Sequence, residues 1–531
     1  MSLVQSVDNV ALLPAYLAAG TAVLVLLADL LLARAGATAA VAAVGAVATA
    51  VGAAVVGAGQ TRRTFCVGAD CSWVLDGRAA LVAAVFALLT LGVLGLSGPL
   101  LRSGPTPAGE YCFLLACSMT GGVVLGAAGD LITLIVALET LTLPLYVLVG
   151  LRRGSLASAE AAVTFFVVSV VATTVTLLGA ALLYAVTGGL HLDRLGALLD
   201  EGRDLPLTTA AIVLVVVGIA FKVAAVPLHA WAPSTYDGAP LPVAAYLSTA
   251  SKLGGVVALL AVVQRALPAD VTGPVLALLA VLTMTVGNLV ALRQRRTVRL
   301  LAWSSVAQAG YILAPLGALA LAAGRTGDAP ATAYAAAVAY AVFFVVLELA
   351  AFAALVALRP AGADGGTVDD LRGAARRHPW VGAAFALALI GLAGLPPGLA
   401  GLFAKVTVVR SLLDGGAGWL ALVVAVNAVI GLAYYLRLAA TLYAVDAVPV
   451  SGTAPVSGDV SGTLAGGAPA VSGGVPVGAA SVVPADAGAV VVAGAPVGRP
   501  AWTVAVALAL ATVVAVVLGF APQLVLDLAA R

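Results

Sequence analysis

Residues 218–240 read GIAFKVAAVPLHAWAPSTYDGAP. The stretch starts as the end of an apolar helix and then places Pro227 and Pro233 in its path. A proline removes a backbone donor and its ring clashes with the preceding turn, so the helix must break. Lys222 and His229 flank the first of these prolines. In hydrocarbon, a broken backbone is tolerated only where protein or a watery cavity satisfies the freed groups. The stretch therefore predicts an interrupted membrane helix with ionisable side chains at its break.

A second stretch has the same ingredients. Residues 391–405, GLAGLPPGLAGLFAK, put Pro396 and Pro397 in mid-segment, with Lys405 about two helical turns beyond them. Broken helices at corresponding positions of two halves mark ion sites in transporters. The two stretches are not copies, since Lys222 precedes its prolines and Lys405 follows its own.

The rest of the chain fits a membrane setting. Of its 531 residues 62% are hydrophobic and 9% charged, a balance expected of an all-α polytopic membrane protein. Counting apolar segments of roughly 20 residues gives about 14 transmembrane helices, from 10–33 to 501–520. The net charge of +2 and the absence of a basic tail argue against nucleic acid binding. The N-terminus, MSLVQSVDNV, lacks the positive region of a cleavable signal peptide, so the first span is expected to be retained. Counting arginines and lysines in short loops places both termini outside the cytoplasm, together with the loop holding Cys66 and Cys71. That pair is read as a disulfide or as unbonded, because two thiols do not make a metal site. Cys112 and Cys117 fall in a span and read as packing residues. No haem, iron–sulfur, flavin or nucleotide motif is present, so no cofactor and no metal is expected. Residues 446–500 are rich in Gly, Ala, Pro, Ser and Val and read as a flexible linker.

The chain has only three lysines, Lys222, Lys252 and Lys405, and all three lie in apolar segments. Coding bias can explain why 23 other basic residues are arginines. It does not explain why the lysines sit in the membrane. Arginine keeps its charge in proteins, whereas a desolvated lysine can give up its proton. Glu139, in VALETLTLPLYVL, is a carboxylate able to pair with such a lysine. Neutralising or moving the carboxylate would release the lysine's proton. A static buried ion pair is the competing reading, and it is weak evidence for stability. His229 lies seven residues after Lys222, two turns on the same face if the helix continues. It is a candidate relay between Lys222 and Lys252. Glu348, in VVLELAAFAAL, is either a second relay carboxylate or a partner for Lys405. Asp29 and Asp130 fall near span ends, and Arg437 reads as snorkelling.

Four stretches carry a family resemblance: ALETLTLPLYVLVGLRR, FKVAAVPLHAWAPSTYDGAPLPVAAYLSTASK, GNLVALRQRRTVRLLAWSSVAQAGYIL and GLPPGLAGLFAKVTVVRSLL. They resemble the antiporter-like membrane subunits of bacterial NADH–quinone oxidoreductase, respiratory complex I. The family also includes cation/proton antiporters of the Mrp type. The STYDGAP loop, the lysine at position 405 and the absence of a long lateral helix match its subunit N branch. Similarity runs over residues 110–445 and is weak before them.

The resemblance implies fourteen helices with two inverted five-helix repeats and two broken helices. Residues 1–109 would be a three-span region, 110–265 the first unit, 266–445 the second and 501–531 the last span. It implies that Glu139 and Lys222 form the charged pair, Lys252 the central relay and Lys405 the terminal lysine, with His229 beside the break. It implies proton translocation in the bacterial plasma membrane, as a non-redox subunit driven by quinone reduction elsewhere in the complex. The partners would be other antiporter-like and small membrane subunits. A cation/proton antiporter is the alternative, and a spacer that has lost pumping is a third reading. Two departures stand out. Gln308 replaces a histidine found in many relatives, and amide nitrogen cannot carry a proton. Glu348 stands where relatives often have a neutral residue, and it is a candidate for the titratable group that Gln308 lacks.

Overall fold

A computed structural model of the chain describes residues 6–104, 106–152, 154–201, 206–445 and 499–530. The expected linker, apart from its last two residues, lies outside the described residues. The described chain is almost wholly helical. Helices α1 (Leu13–Leu32), α2 (Ala35–Gly57) and α3 (Gly77–Arg102) form the N-terminal group. They are followed by α4 (Ala108–Gly126), α5 (Leu131–Val149), α6 (Leu156–Thr187) and the short amphipathic α7 (Leu192–Glu201). Next come α8 (Pro206–Lys222), α9 (Trp231–Gly238) and α10 (Leu241–Arg265). The remaining helices are α11 (Ala269–Ala291), α12 (Thr297–Gly317), α13 (Ala329–Leu358), α14 (Pro379–Ala393), α15 (Leu399–Asp414), α16 (Gly418–Tyr443), α17 (Trp502–Phe520) and α18 (Gln523–Ala530).

Eleven of the described helices are long and apolar enough to cross a membrane. The expected count of fourteen is not reached on that measure, for two physical reasons. The segments at 207–228 and 380–411 are not continuous helices, because proline ends α8 at Lys222 and splits the other into α14 and α15. Helix α12 is long enough but polar on its inner face, which carries Ser304, Ser305 and Gln308.

The interior is built around α10, α12 and α13. Some 83% of the apolar window of α10 and 78% of that of α13 are buried, against 28% for α1 and for α17. The outer helices instead expose leucine, valine and tryptophan, for example Leu30, Leu31, Trp502 and Phe520. An apolar surface of this kind suits hydrocarbon rather than water.

The loop holding Cys66 and Cys71 is a two-stranded antiparallel hairpin, β1 (Arg62–Val67) and β2 (Asp70–Leu75), in which the two cysteines face each other and are bonded. The hairpin is docked rather than free. Gly129 N–H donates to Ser72 O at 2.8 Å, Val74 N–H donates to Ala127 O at 2.9 Å, and the Trp73 indole donates to Ala11 O at 3.0 Å. It thus ties the N-terminus to the start of α5. The STYDGAP stretch, expected as a loop, is helical through Gly238 because it forms the end of α9; at a nearby loop cluster Arg296 bridges Asp237 of α9 at 2.7 Å and Asp364 at 2.9 Å, joining α9 to the segment after α13.

Candidate functional site

The first buried centre lies where α5, α6 and α8 meet. Lys222, the last residue of α8, donates to Glu139 Oε1 at 2.8 Å, Ser169 Oγ at 2.9 Å and Thr142 Oγ1 at 3.1 Å. The lysine side chain is 6% exposed and the glutamate 21%. Three acceptors match the three hydrogens of an ammonium, so the charged form is fully satisfied. Thr173 Oγ1 donates to Glu139 Oε1 at 2.6 Å, and the Tyr146 hydroxyl donates to Ser169 Oγ at 2.5 Å. A cation at a helix C-terminus also sits at the negative end of the helix dipole.

Each break is closed by groups from other helices. At the first, Val226 N–H donates to Thr283 Oγ1 on α11 at 3.0 Å, and the Trp231 indole donates to Phe221 O at 3.2 Å. Helix α10 reaches this point because Gly255 has no side chain; a Cβ there would lie 2.8 Å from the Lys222 carbonyl carbon. At the second break, the Lys405 ammonium reaches back from α15 to the end of α14. It donates to Leu392 O at 3.2 Å and Ala393 O at 2.5 Å. Gly394 makes room for it: its φ is +81°, and a Cβ would stand 2.7 Å from Lys405 Cδ. Both breaks contain a cis X–Pro bond, Val226–Pro227 and Pro396–Pro397.

Between the breaks lies Lys252, 1% exposed. It directly follows a π-turn, Leu247–Ser251, a distortion frequent at functional sites. Its ammonium donates to Ser305 Oγ at 2.6 Å and Ser305 O at 2.7 Å, both on α12. The next polar links run along α12. Ser304 bonds the Tyr435 hydroxyl, Tyr435 bonds Gln308 Nε2 at 2.9 Å, and Gln308 Nε2 donates to Leu392 O at 3.1 Å. Leu392 O is the carbonyl that also receives Lys405. Hydrogen bonds thus join Ser304 to the seat of Lys405, while Lys252 rests on the neighbouring Ser305, with no hydrogen bond between the two serine side chains among the described residues.

Residues 128–431 match the family described as NADH:quinone oxidoreductase/Mrp antiporter, transmembrane. The chain belongs to this antiporter family. It is 77% identical over its full length to NADH-quinone oxidoreductase subunit N of Salinispora tropica, all of which is covered. Its fold resembles a chain of respiratory complex I from Thermus thermophilus at TM-score 0.72 and 28% identity, covering 97% of this chain and 98% of that one. A chain of the Mrp complex from a Dietzia species is similar at TM-score 0.76, covering 98% of this chain and 96% of that one. At 24% identity this second likeness speaks to the fold alone.

Measured against the antiporter family's expected sites, the structure joins some residues and separates others. Glu139 and Lys222 meet. His229 does not lie on a continued helix with Lys222, because α8 ends at the lysine and the seven-residue spacing loses its meaning. Its ring instead sits 5.0 Å from that of Trp303, and its Nδ1 is buried with no protein partner among the described residues. Glu348 does not pair with Lys405, whose ammonium is taken by backbone carbonyls. It is fully buried, and its two oxygens have no hydrogen-bond partner among the described residues. Asp130 caps α5 through Thr133 N–H at 2.8 Å. Arg437 donates to Leu292 O and Gln294 O at 2.7 and 2.8 Å and so caps the end of α11. Sequence reasoning missed the hydroxyls: Thr142, Ser169, Thr173, Ser304, Ser305, Tyr340 and Tyr435. Their one sequence signal is that polar residues fall inside segments otherwise suited to hydrocarbon.

Proposed function

We propose that this chain conducts protons through the membrane as the N-type antiporter-like subunit of a bacterial NADH–quinone oxidoreductase. It is a multi-pass, non-redox membrane subunit of that translocase, assembled with the complex's other membrane subunits. The observation that carries the mechanism is the Lys222–Glu139 pair at the broken end of α8, a buried lysine 2.8 Å from a half-buried carboxylate. A carboxylate at that distance holds the proton on the lysine. Neutralising it, or moving it away, removes what keeps the ammonium charged, and the proton can pass toward Lys252. His229, beside the break, serves as the relay. Lys252 then communicates with Lys405 along the α12 polar groups, with Glu348 as the buried titratable group beside that route. Lys405 is the terminal carrier at the second break. The energy comes from quinone reduction elsewhere in the complex.

Further parts of the proposal concern layout. Residues 110–265 and 266–445 form two five-helix units, each with one broken helix, related by inversion, with 1–109 preceding them and 501–531 as the last span. Counting the two broken segments and α12 with the eleven apolar helices brings the spans to fourteen. Both termini face the extracytoplasmic side, as does the disulfide hairpin, in keeping with the arginine distribution.

Lys222→Met in the assembled complex tests the mechanism. Loss of proton pumping is expected. Full pumping alongside normal electron transfer overturns it. A second reading, a cation/proton antiporter subunit, is favoured by the fold likeness to an Mrp complex. Co-purification of the chain with quinone-reducing subunits decides for the first reading, and its absence decides for the second.

A further inference from the structure

We infer that Gln308 is a positioning residue for Lys405, an amide clamp that fixes the carbonyl end of α14 and carries no proton itself. The inference rests on the pumping reading and deepens it. Its starting point is the orientation of one amide. Leu392 O can only accept a hydrogen bond, so the Gln308 group 3.1 Å away must be the NH2. The Gln308 oxygen then faces Tyr340, whose hydroxyl must donate, at 2.6 Å. The second amide hydrogen points to Tyr435, 2.9 Å away, so that hydroxyl accepts and its own hydrogen turns to Ser304. All four side chains are at most 3% exposed. Every hydrogen of the amide is committed, and its nitrogen offers no lone pair.

The clamp acts at the point where the backbone is weakest. Beyond Ala393 the chain leaves the helix; Gly394 N–H caps Ile390 O and Gly391 O, which leaves Leu392 O and Ala393 O to side-chain donors. Leu392 O receives two donors, Gln308 from α12 and Lys405 from α15. Without Gln308, that carbonyl loses its anchor to α12 and is free to follow the lysine. Lys405 then no longer has a fixed seat, although the side chain that was removed carries no proton itself.

Gln308→Met in the assembled complex, with proton pumping and quinone reduction measured in the same membrane vesicles, tests the clamp. Protons pumped per electron should fall about threefold to tenfold, the worth of about one neutral hydrogen bond. Electron transfer and the amount of assembled complex should be unchanged. Tyr340→Phe, which frees the amide to rotate, should lower the ratio less. The double variant should match Gln308→Met alone, because both act through one amide. Unchanged pumping in Gln308→Met overturns the clamp, as does a fall of electron transfer and complex content in step with pumping, or losses that multiply fully in the double variant. Lys222→Met separates the two levels. If it abolishes pumping while Gln308→Met does not, the clamp alone is wrong; if it leaves pumping intact, the pumping reading is wrong.

Discussion

Glu139→Gln removes the charge that faces Lys222 while keeping the size of the side chain. The amide oxygen can still accept a hydrogen bond, and Thr142 and Ser169 remain at 3.1 and 2.9 Å. What disappears is a negative charge 2.8 Å from an ammonium whose side chain is 6% exposed. Breaking a buried ion pair by removing one partner costs about 3–5 kcal/mol. At about 1.4 kcal/mol per factor of ten, the charged lysine is disfavoured by at least about a hundredfold. A carrier held in one protonation state cannot cycle, so pumping should fall below about a tenth of normal on the same scale. The assay is dye quenching in inverted membrane vesicles, read against the rate of quinone reduction in the same sample. Glu139→Asp should fall between the two, since it keeps the charge but is one methylene too short for the present contact. A Glu139→Gln complex that pumps the normal number of protons per electron refutes the reasoning, because a static pair would then be all the geometry represents.

Other sites give separate tests. Gly394→Ala forces a side chain into a left-handed conformation at φ +81°, 3.1 Å from Lys405 Nζ, at about 1–2 kcal/mol for the backbone alone; lower pumping with intact quinone reduction is expected. Thr283→Val leaves the Val226 N–H without its 3.0 Å acceptor, costing about 1–3 kcal/mol, which should appear as a lower unfolding temperature of the detergent-purified complex. Cys66→Ser opens a short loop, with a sequence separation of 5, and should cost about 2 kcal/mol; faster proteolysis of the hairpin with normal pumping is expected. Burial pushes the Asp364 carboxyl up, but Arg296 and Arg359 outweigh it and hold the group below its ordinary value. Its contribution to the loop cluster is therefore complete above about pH 4 and is lost as pH falls through the lowered value. Hydrogen exchange in residues 359–373 should accelerate in that acid range, and Asp364→Asn should weaken the dependence to what Asp237 and Asp370 contribute through Arg296 and Arg359.

The breaks were legible because proline acts locally: it removes its own N–H whatever surrounds it. The pairing of Glu139 with a lysine was legible because an isolated carboxylate in hydrocarbon is so costly that a partner must exist. The hydroxyl shell was not legible. Serine and threonine in membrane helices usually bond their own backbone four residues back, as Thr173 does to Ser169 O. Whether they also serve a neighbour depends on which helix packs against them. The shared face of Lys222 and His229 was not legible for a related reason: a spacing of seven residues defines a face only while the helix lasts, and this one stops at Lys222. The proposed Glu348–Lys405 contact failed because sequence cannot show that the α14 carbonyls had already claimed the lysine.

By itself the sequence determined that the chain lives in a membrane, where its helices break, and that its three lysines all lie in apolar segments. Those properties follow from composition and from single residues, which act within a turn or two of the chain. Only the tertiary structure decided which acceptor each ammonium meets: a carboxylate for Lys222, a serine for Lys252 and two carbonyls for Lys405. An ammonium is satisfied by any three acceptors within reach, and reach is set by helix packing, not by neighbours in sequence.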